Sequence, residues 1–248
     1  MTFQKLFCRL ALTLALVPAV FLATPVMADD AEDAVRERIE KQVPRLTIAS
    51  VRPAPAPGLY EVVTSGGEVI YATEGGEYLL TGDLLQLTDS GISNVTESGR
   101  AAARADVLDE FGEKGLISYP AKGDEKTEIA VFTDIDCPYC RKFHNEIGRL
   151  NELGITVHYY AFPRSGPNTP SFSKYESVWC AEDSRAAMDA AKQGRNVDQK
   201  TCETPVRAQF ELGSRVGVTG TPAIVLEDGK MVRGYVPADE LARGLGLL

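Results

Sequence analysis

Ile129-Ala130-Val131-Phe132-Thr133-Asp134-Ile135-Asp136-Cys137-Pro138-Tyr139-Cys140 is the stretch from which the fold of this chain is read. An apolar run of strand type leads through a short polar connection to two thiols spaced by two residues. A segment with helical periodicity follows. A dithiol at a helix start can close a small reversible disulfide, so the side chains themselves carry redox chemistry and no cofactor is required. The thiolate is the nucleophile, and a free cysteine with a pKa near ~8.5 is mostly protonated at neutral pH. A helix N-terminus offers unpaired N–H groups and a partial positive charge, which stabilise the thiolate of the first cysteine. Pro138 suits the first turn, where its missing N–H has no helical partner anyway. Cys137 is therefore read as the exposed nucleophile and Cys140, one turn further, as the less accessible resolving thiol. A purely structural disulfide is the competing reading, but a bridge across so short a loop adds little stability.

Working outward, the helix ends near Leu153-Gly154 and a second strand runs from Ile155 to Phe162. Strand, helix and strand at this spacing predict a parallel crossover. Residues 171–215 are mostly helical in pattern and contain Cys180 and Cys202. Ala223–Leu226 and Met231–Val232 flank Asp228-Gly229, a two-residue hairpin signal, and residues 237–245 form a closing helix. This order, with Cys-x-x-Cys after the first strand, is a thioredoxin-like α/β arrangement in which the helical stretch is an insertion. Thr221-Pro222 stands at the start of the strand at Ala223, where a proline is awkward. A cis bond resolves this, and an ordinary trans turn is the alternative.

The N-terminus reads as a secretory signal peptide: Lys5 and Arg9, then an apolar run from Leu10 to Thr24, then Val26-Met27-Ala28 as a small-residue cleavage site. That run falls short of the ~20 residues that span a bilayer, so no stable membrane insertion is expected. Removing residues 1–28 takes away two of 26 basic residues and none of 35 acidic ones, and the formal net charge moves from −9 to −11. An acidic chain without basic clusters argues against nucleic acid or an anionic membrane as partner. Of five cysteines, Cys8 leaves with the signal, and an even set remains. That fits two disulfides in an oxidising compartment, with three pairings allowed. Keeping Cys137 with Cys140 and joining Cys180 to Cys202 is the economical pairing. The second bridge then closes a loop of about 20 residues and contributes roughly 3 kcal/mol in the chain-entropy view. A zinc site competes weakly, because the second pair is not closely spaced and no histidine is near it; no metal is expected. His144 follows Cys140 by one helical turn and reads as a partly exposed helix residue, and His158 as a structural strand residue.

Residues 30–43 read as a short amphipathic helix that stops before Pro44. Pro53-Ala54-Pro55-Ala56-Pro57-Gly58 excludes helix and central strand. The runs Leu59–Thr64, Glu68–Thr73 and Glu77–Leu80, separated by glycine-containing turns, predict a three-stranded antiparallel meander. So small a core with exposed edges calls for a partner, and a second copy of the chain is the first expectation. A monomeric accessory domain is the alternative. Residues 97–115, rich in Ala, Arg, Glu and Asp, predict a largely solvated helix serving as a rigid linker.

The chain resembles the periplasmic DsbC/DsbG-type thiol:disulfide interchange proteins. The resemblance rests on Val131 to Cys140, Leu153-Gly154-Ile155-Thr156-Val157, Ala161-Phe162-Pro163-Arg164-Ser165-Gly166, Val178-Trp179-Cys180-Ala181 and Gly220-Thr221-Pro222-Ala223-Ile224-Val225-Leu226. It implies a signal peptide over 1–28, a cystatin-like α+β dimerisation domain over 29–92, a helical linker over 93–118 and a thioredoxin-like catalytic domain over 119–248. It further implies a V-shaped homodimer in the periplasm. Cys137 would be the nucleophile, Cys140 the resolver, Cys180–Cys202 a structural bridge, and Pro222 cis beside the dithiol, with Pro138, Tyr139 and Thr221 supporting the site. The implied activity is rearrangement of wrong disulfides in exported proteins, with a DsbD-like membrane reductase keeping the dithiol reduced and chaperone-like binding of clients. Alternatives are a DsbG-like reductase that protects single cysteines from sulfenic acid oxidation and a dimeric holdase. The Pro138-Tyr139 pair looks like the DsbG branch. Thioredoxin carries a buried aspartate at the position aligned with Val131, so this chain lacks that proton acceptor for the resolving thiol.

Overall fold

A computed structural model describes residues 28–89 and 91–248. Cys8 and the expected signal peptide, apart from Ala28, lie outside the described residues. Helix α1 (Ala28–Gln42) ends before Pro44 and buries Val35 and Ile39 against a sheet. That sheet contains β1 (Ile48–Pro53), β2 (Leu59–Thr64), β3 (Val69–Thr73) and β4 (Leu79–Thr81) in the order β1-β2-β3-β4, all antiparallel. Its core is Val35, Ile39, Ile48, Val51, Val62, Ile70 and Ala72. The expected meander lacked β1. This strand closes on Pro53, which faces Tyr60 in the register, and an edge strand tolerates a proline that a central one does not.

A separate hairpin follows, β5 (Leu85–Thr88) with β6 (Gly91–Asn94), and opens into α2 (Val95–Phe111). The Asn94 side chain caps α2 by accepting from the Glu97 N–H at 2.9 Å. The expectation of a largely solvated linker is corrected here. Ala101 and Arg104 are buried, and the Arg104 guanidinium donates to the Gly229 carbonyl at 2.6 Å and pairs with Glu97 at 2.7 Å. Gly229 has φ +75°, and a Cβ there would stand 1.8 Å from the Ala101 carbonyl oxygen. The helix therefore docks on the following domain at a point that admits only glycine. Val107, Leu108 and Phe111, its apolar minority, pack against that domain's core.

The second domain is a five-stranded sheet of β7 (Ile117–Tyr119), β8 (Thr127–Thr133), β9 (Ile155–Ala161), β10 (Ala223–Leu226) and β11 (Met231–Arg233), ordered β11-β10-β8-β9-β7. The pair β8–β9 is parallel, as predicted, and the others are antiparallel. One face carries a core with Phe143, Leu150, Tyr159, Tyr175 and Met188, and the other a core with Phe132, Tyr160, Phe162 and Leu212. The helix expected after Cys137 is two helices, α3 (Pro138–His144) and α4 (Ile147–Glu152). At the break, Glu146 accepts from the Tyr235 hydroxyl at 2.8 Å and the Ala238 N–H at 3.2 Å, tying the site helix to α8 (Ala238–Gly244). Between β9 and β10 lie α5 (Pro170–Trp179), α6 (Ser184–Lys192) and α7 (Val206–Arg215).

Candidate active site

The C-terminal half of the central strand β8 is buried and delivers Thr133 and Asp134 to the end of the sheet, beyond which the chain turns into α3. Cys137 is the N-cap of α3 with extended backbone (φ −81°, ψ 122°), and Pro138 is its first helical residue. The thiols of Cys137 and Cys140 are not bonded to each other. Cys140, fully buried, has its sulfur against the Asp134 N–H at 3.4 Å. The peptide bond Thr221–Pro222 is cis, and the Thr221 carbonyl accepts from the Cys137 thiol at 3.4 Å. Cys137 was expected to be exposed, but only 2% of it is accessible, because its sulfur turns onto this proline loop. Tyr139, 63% exposed, is the outward face of the motif.

The two sulfurs sit in opposite environments. Burial pushes the Cys137 thiol up, but the Cys140 and Tyr139 N–H groups at the helix start, with the Thr221 and Cys140 side chains, outweigh it and hold its pKa below the ordinary thiol value. Burial raises Cys140, and Lys192, Thr221, Asp134 and Thr133 offset that only in part. Thr221 Oγ1 is buried without a conventional hydrogen-bond partner, which leaves its hydroxyl as a spare donor for a sulfur that becomes anionic.

Asp134 and Arg164 lie in stretches that carry the resemblance but were given no role from the sequence, and Lys192 was not singled out at all. Asp134 is 2% exposed and braces the loop. Its carboxylate accepts from the Asp136 N–H at 2.8 Å, Ser171 Oγ at 3.3 Å, and the N–H and Nε of Arg164 at 3.0 Å each. Burial raises its pKa, yet the Arg164 and Asp136 N–H groups and the Arg164 guanidinium win and keep it ionised. An acidic residue at the end of an apolar strand, three before the first cysteine, was the available signal. Lys192 offered none, since a lysine in the last turn of a helix ordinarily faces water. Here it is 3% exposed, with Nζ 2.6 Å from Thr133 Oγ1 and 3.0 Å from the Asp134 carbonyl oxygen.

The histidines stand apart from the sulfurs. The His144 ring packs between Tyr159 Oη at 3.1 Å and Asp189 at 3.2 Å, with its side chain 8% exposed. Burial, then Lys192, push its pKa down to about 4 against the pull of Asp189, so it is neutral at physiological pH. His158 bonds to Ser118 and Glu128. Its ring, Glu113 and Glu128 form the one cluster of metal-ligand type among the described residues, away from the dithiol. Cys180, at the end of α5, is bonded to Cys202 in the loop before α7.

Residues 26–97 match the family described as the disulfide bond isomerase protein N-terminal domain, and residues 117–247 match a thioredoxin-like domain. The chain is 41% identical to the thiol:disulfide interchange protein DsbC of Dickeya dadantii over 214 residues, covering 86% of this chain and 85% of that protein. It is 36% identical to DsbC of Escherichia coli K12, covering 86% of each. A solved disulfide interchange protein from Neisseria gonorrhoeae is 29% identical, with a TM-score of 0.47 over 54% of this chain and 96% of that one.

Proposed function

This chain belongs to the DsbC family of thiol:disulfide interchange proteins, and from that premise we propose the residues and the route by which it exchanges disulfides. The enzyme is a thiol:disulfide isomerase/oxidoreductase with a thioredoxin-like domain. In the proposed route the Cys137 thiolate attacks a client disulfide, forms a mixed disulfide and expels one client sulfur as a thiolate. That client thiolate attacks another client disulfide, and a client sulfur then displaces Cys137, which leaves unchanged. This is isomerisation. In the reductive branch Cys140 attacks Cys137, the client leaves reduced, and a Cys137–Cys140 disulfide remains for a DsbD-like membrane reductase to reduce.

The observation that carries this reading is the opposed tuning of the two thiols, Cys137 below and Cys140 above the ordinary value. At neutral pH the first sulfur is the better nucleophile and the second keeps its proton, which gives the mixed disulfide time to rearrange. Tyr139 offers an exposed ring beside the attack point, and the Thr221 carbonyl, before the cis proline, presents a backbone acceptor to a client strand. Cys180–Cys202 has a structural role, tying the helical insertion to the loop before α7. The proposed assembly is a periplasmic homodimer built through residues 29–92, with α2 carrying each catalytic domain and misoxidised exported proteins as clients. The exposed Leu85, Leu87 and Ile92 of the β5–β6 hairpin support it. Among the described residues no helix is long and apolar enough to cross a membrane.

Refolding of scrambled, multiply disulfide-bonded ribonuclease tests the proposal. Wild type restores ribonuclease activity, Cys137→Ala abolishes the effect, and Cys140→Ala retains part of it. Rescue that survives Cys137→Ala would contradict the enzymatic route and favour a holdase.

A further inference from the structure

Lys192 is the last residue of α6, yet it is 3% exposed and lies behind the dithiol. Its Nζ donates to two neutral oxygens, Thr133 Oγ1 at 2.6 Å and the Asp134 carbonyl at 3.0 Å, and stands 5.5 Å from the centre of the Tyr159 ring. The nearby carboxylate of Asp134 is directed at Arg164 instead. Burying an ammonium without a paired anion is costly. The same strand end that receives Lys192 also holds the resolving sulfur: the Asp134 N–H reaches Cys140 Sγ at 3.4 Å, and the Thr133 side chain faces that sulfur and favours its anion. With Lys192 charged, Thr133 Oγ1 accepts from Nζ and turns its own proton toward Cys140; with Lys192 neutral, the hydroxyl donates to Nζ and its oxygen is open to the Cys140 S–H.

We propose that Lys192 is the positioning residue that manages the proton of the resolving thiol, acting on Cys140 through the Thr133 hydroxyl. The inference rests on the reading of Cys140 as resolver. In the resolving step the Cys140 thiol passes its proton to Thr133 Oγ1 while that hydroxyl passes its own to the neutral Lys192 amine. The products are a Cys140 thiolate and a Lys192 ammonium. The thiolate attacks Cys137 Sγ, the Cys137–client S–S bond breaks as the Cys137–Cys140 bond forms, and the client sulfur leaves with the electron pair and is protonated by water. When the disulfide is later reduced, the proton returns along the same path.

The surroundings suit this task. Burial drives the Lys192 ammonium down to about 8, against the pull of Cys140, Asp134 and Cys137, and Arg141 pushes in the same direction as burial. Both the amine and the ammonium are therefore available near neutral pH. Around it His144 on α3 is neutral, the pKa values of Tyr159 on β9 and Tyr175 on α5 are raised by burial, and the Asp189 carboxylate, one turn earlier on α6, is taken up by His144 and the Tyr119 hydroxyl. Val131, on the same strand two residues before Thr133, is apolar and fully buried and supplies no acceptor.

The test uses the full chain in two readouts. In a Cys137→Ala background, the ultraviolet absorbance of the thiolate titrates Cys140 alone. Lys192→Met raises that pKa by about one unit, and Lys192→Arg, which keeps the charge, does not. In the intact dithiol, rapid mixing of the reduced protein with a labelled peptide disulfide separates formation of the mixed disulfide from its resolution. Lys192→Met slows resolution about tenfold at neutral pH and removes an inflection near pH 8, while formation changes less than ~2-fold. Lys192→Arg also loses the inflection, because arginine does not give up its proton. Thr133→Val, which removes the hydroxyl and leaves Lys192, raises the Cys140 pKa too and serves if Lys192→Met does not fold. A Cys140 titration unchanged by both Lys192→Met and Thr133→Val overturns the inference. Failure of Cys137 to form any mixed disulfide would instead overturn the exchange route, and the Cys140 titration would still decide the role of Lys192.

Discussion

Asp136 stands one residue before the proposed nucleophile, where its charge alone disfavours a neighbouring thiolate. In the fold that charge is shared. Lys174 Nζ lies 2.7 Å from its carboxylate and an Arg141 nitrogen 3.6 Å away, and both cations are partly solvated, so the field reaching Cys137 is weak. Asp136→Thr therefore lowers the Cys137 pKa, because a negative charge is removed, but by well under ~1 unit. Thiolate titration of the Cys140→Ala variant, with and without Asp136→Thr, checks this; no change or a rise contradicts it. Cys137 and Cys140 were legible in the sequence because the chemistry dictates residue types at short spacing, whereas Thr221 and Pro222, 84 residues on, were tied to the dithiol only by the family resemblance. The roles of Asp134, Arg164 and Lys192 were not legible. They meet only when β8, the loop after β9 and the end of α6 converge, and neither composition nor periodicity reports that convergence. Burial of Cys137 was missed for the same reason, since its cover comes from a loop some 84 residues further along the chain.

At the scale of elements, the parallel β8–β9 pair, the β10–β11 hairpin and the helical insertion were readable from period and turn residues, although the hairpin turns through Glu227-Asp228-Gly229 and not through the two residues expected. Strand β1 was hidden by the proline run that ends it. The break between α3 and α4 was hidden because both halves share one hydrophobic face. The docking of α2 was hidden because Arg104 and Ala101 look like surface residues until Gly229 is placed beneath them. The hairpin β5–β6 was missed altogether, and its apolar residues are the most informative surface in the N-terminal half. Leu85, Leu87 and Ile92 are 52%, 81% and 71% exposed, and Tyr78, Leu79 and Leu80, at and beside edge strand β4, are also open. Exposed apolar edges of this size call for a partner. Sedimentation equilibrium of the full chain is expected to give twice the monomer mass. Leu87→Glu with Ile92→Glu should weaken the dimer at least ~100-fold, about 2.7 kcal/mol, while leaving the dithiol chemistry in place. A monomeric wild type at micromolar concentration contradicts the dimer.

At the scale of the molecule, two domains divide the work. The N-terminal half contains no cysteine among its described residues and holds its own core around Val35, Val62 and Ile70. The thioredoxin-like half ends its central strand under a dithiol whose two sulfurs are tuned apart. The central claim is that Cys137 is the sulfur that clients meet and Cys140 the one that releases them. Trapping tests it most directly: the Cys140→Ala protein is incubated with a disulfide-containing client, quenched with acid, and the adduct is mapped by mass spectrometry. The account predicts a client joined through Cys137, accumulating to far higher occupancy than in wild type, and no adduct in Cys137→Ala. A stable adduct on Cys140 in the Cys137→Ala protein, or none on Cys137 in the Cys140→Ala protein, would contradict it.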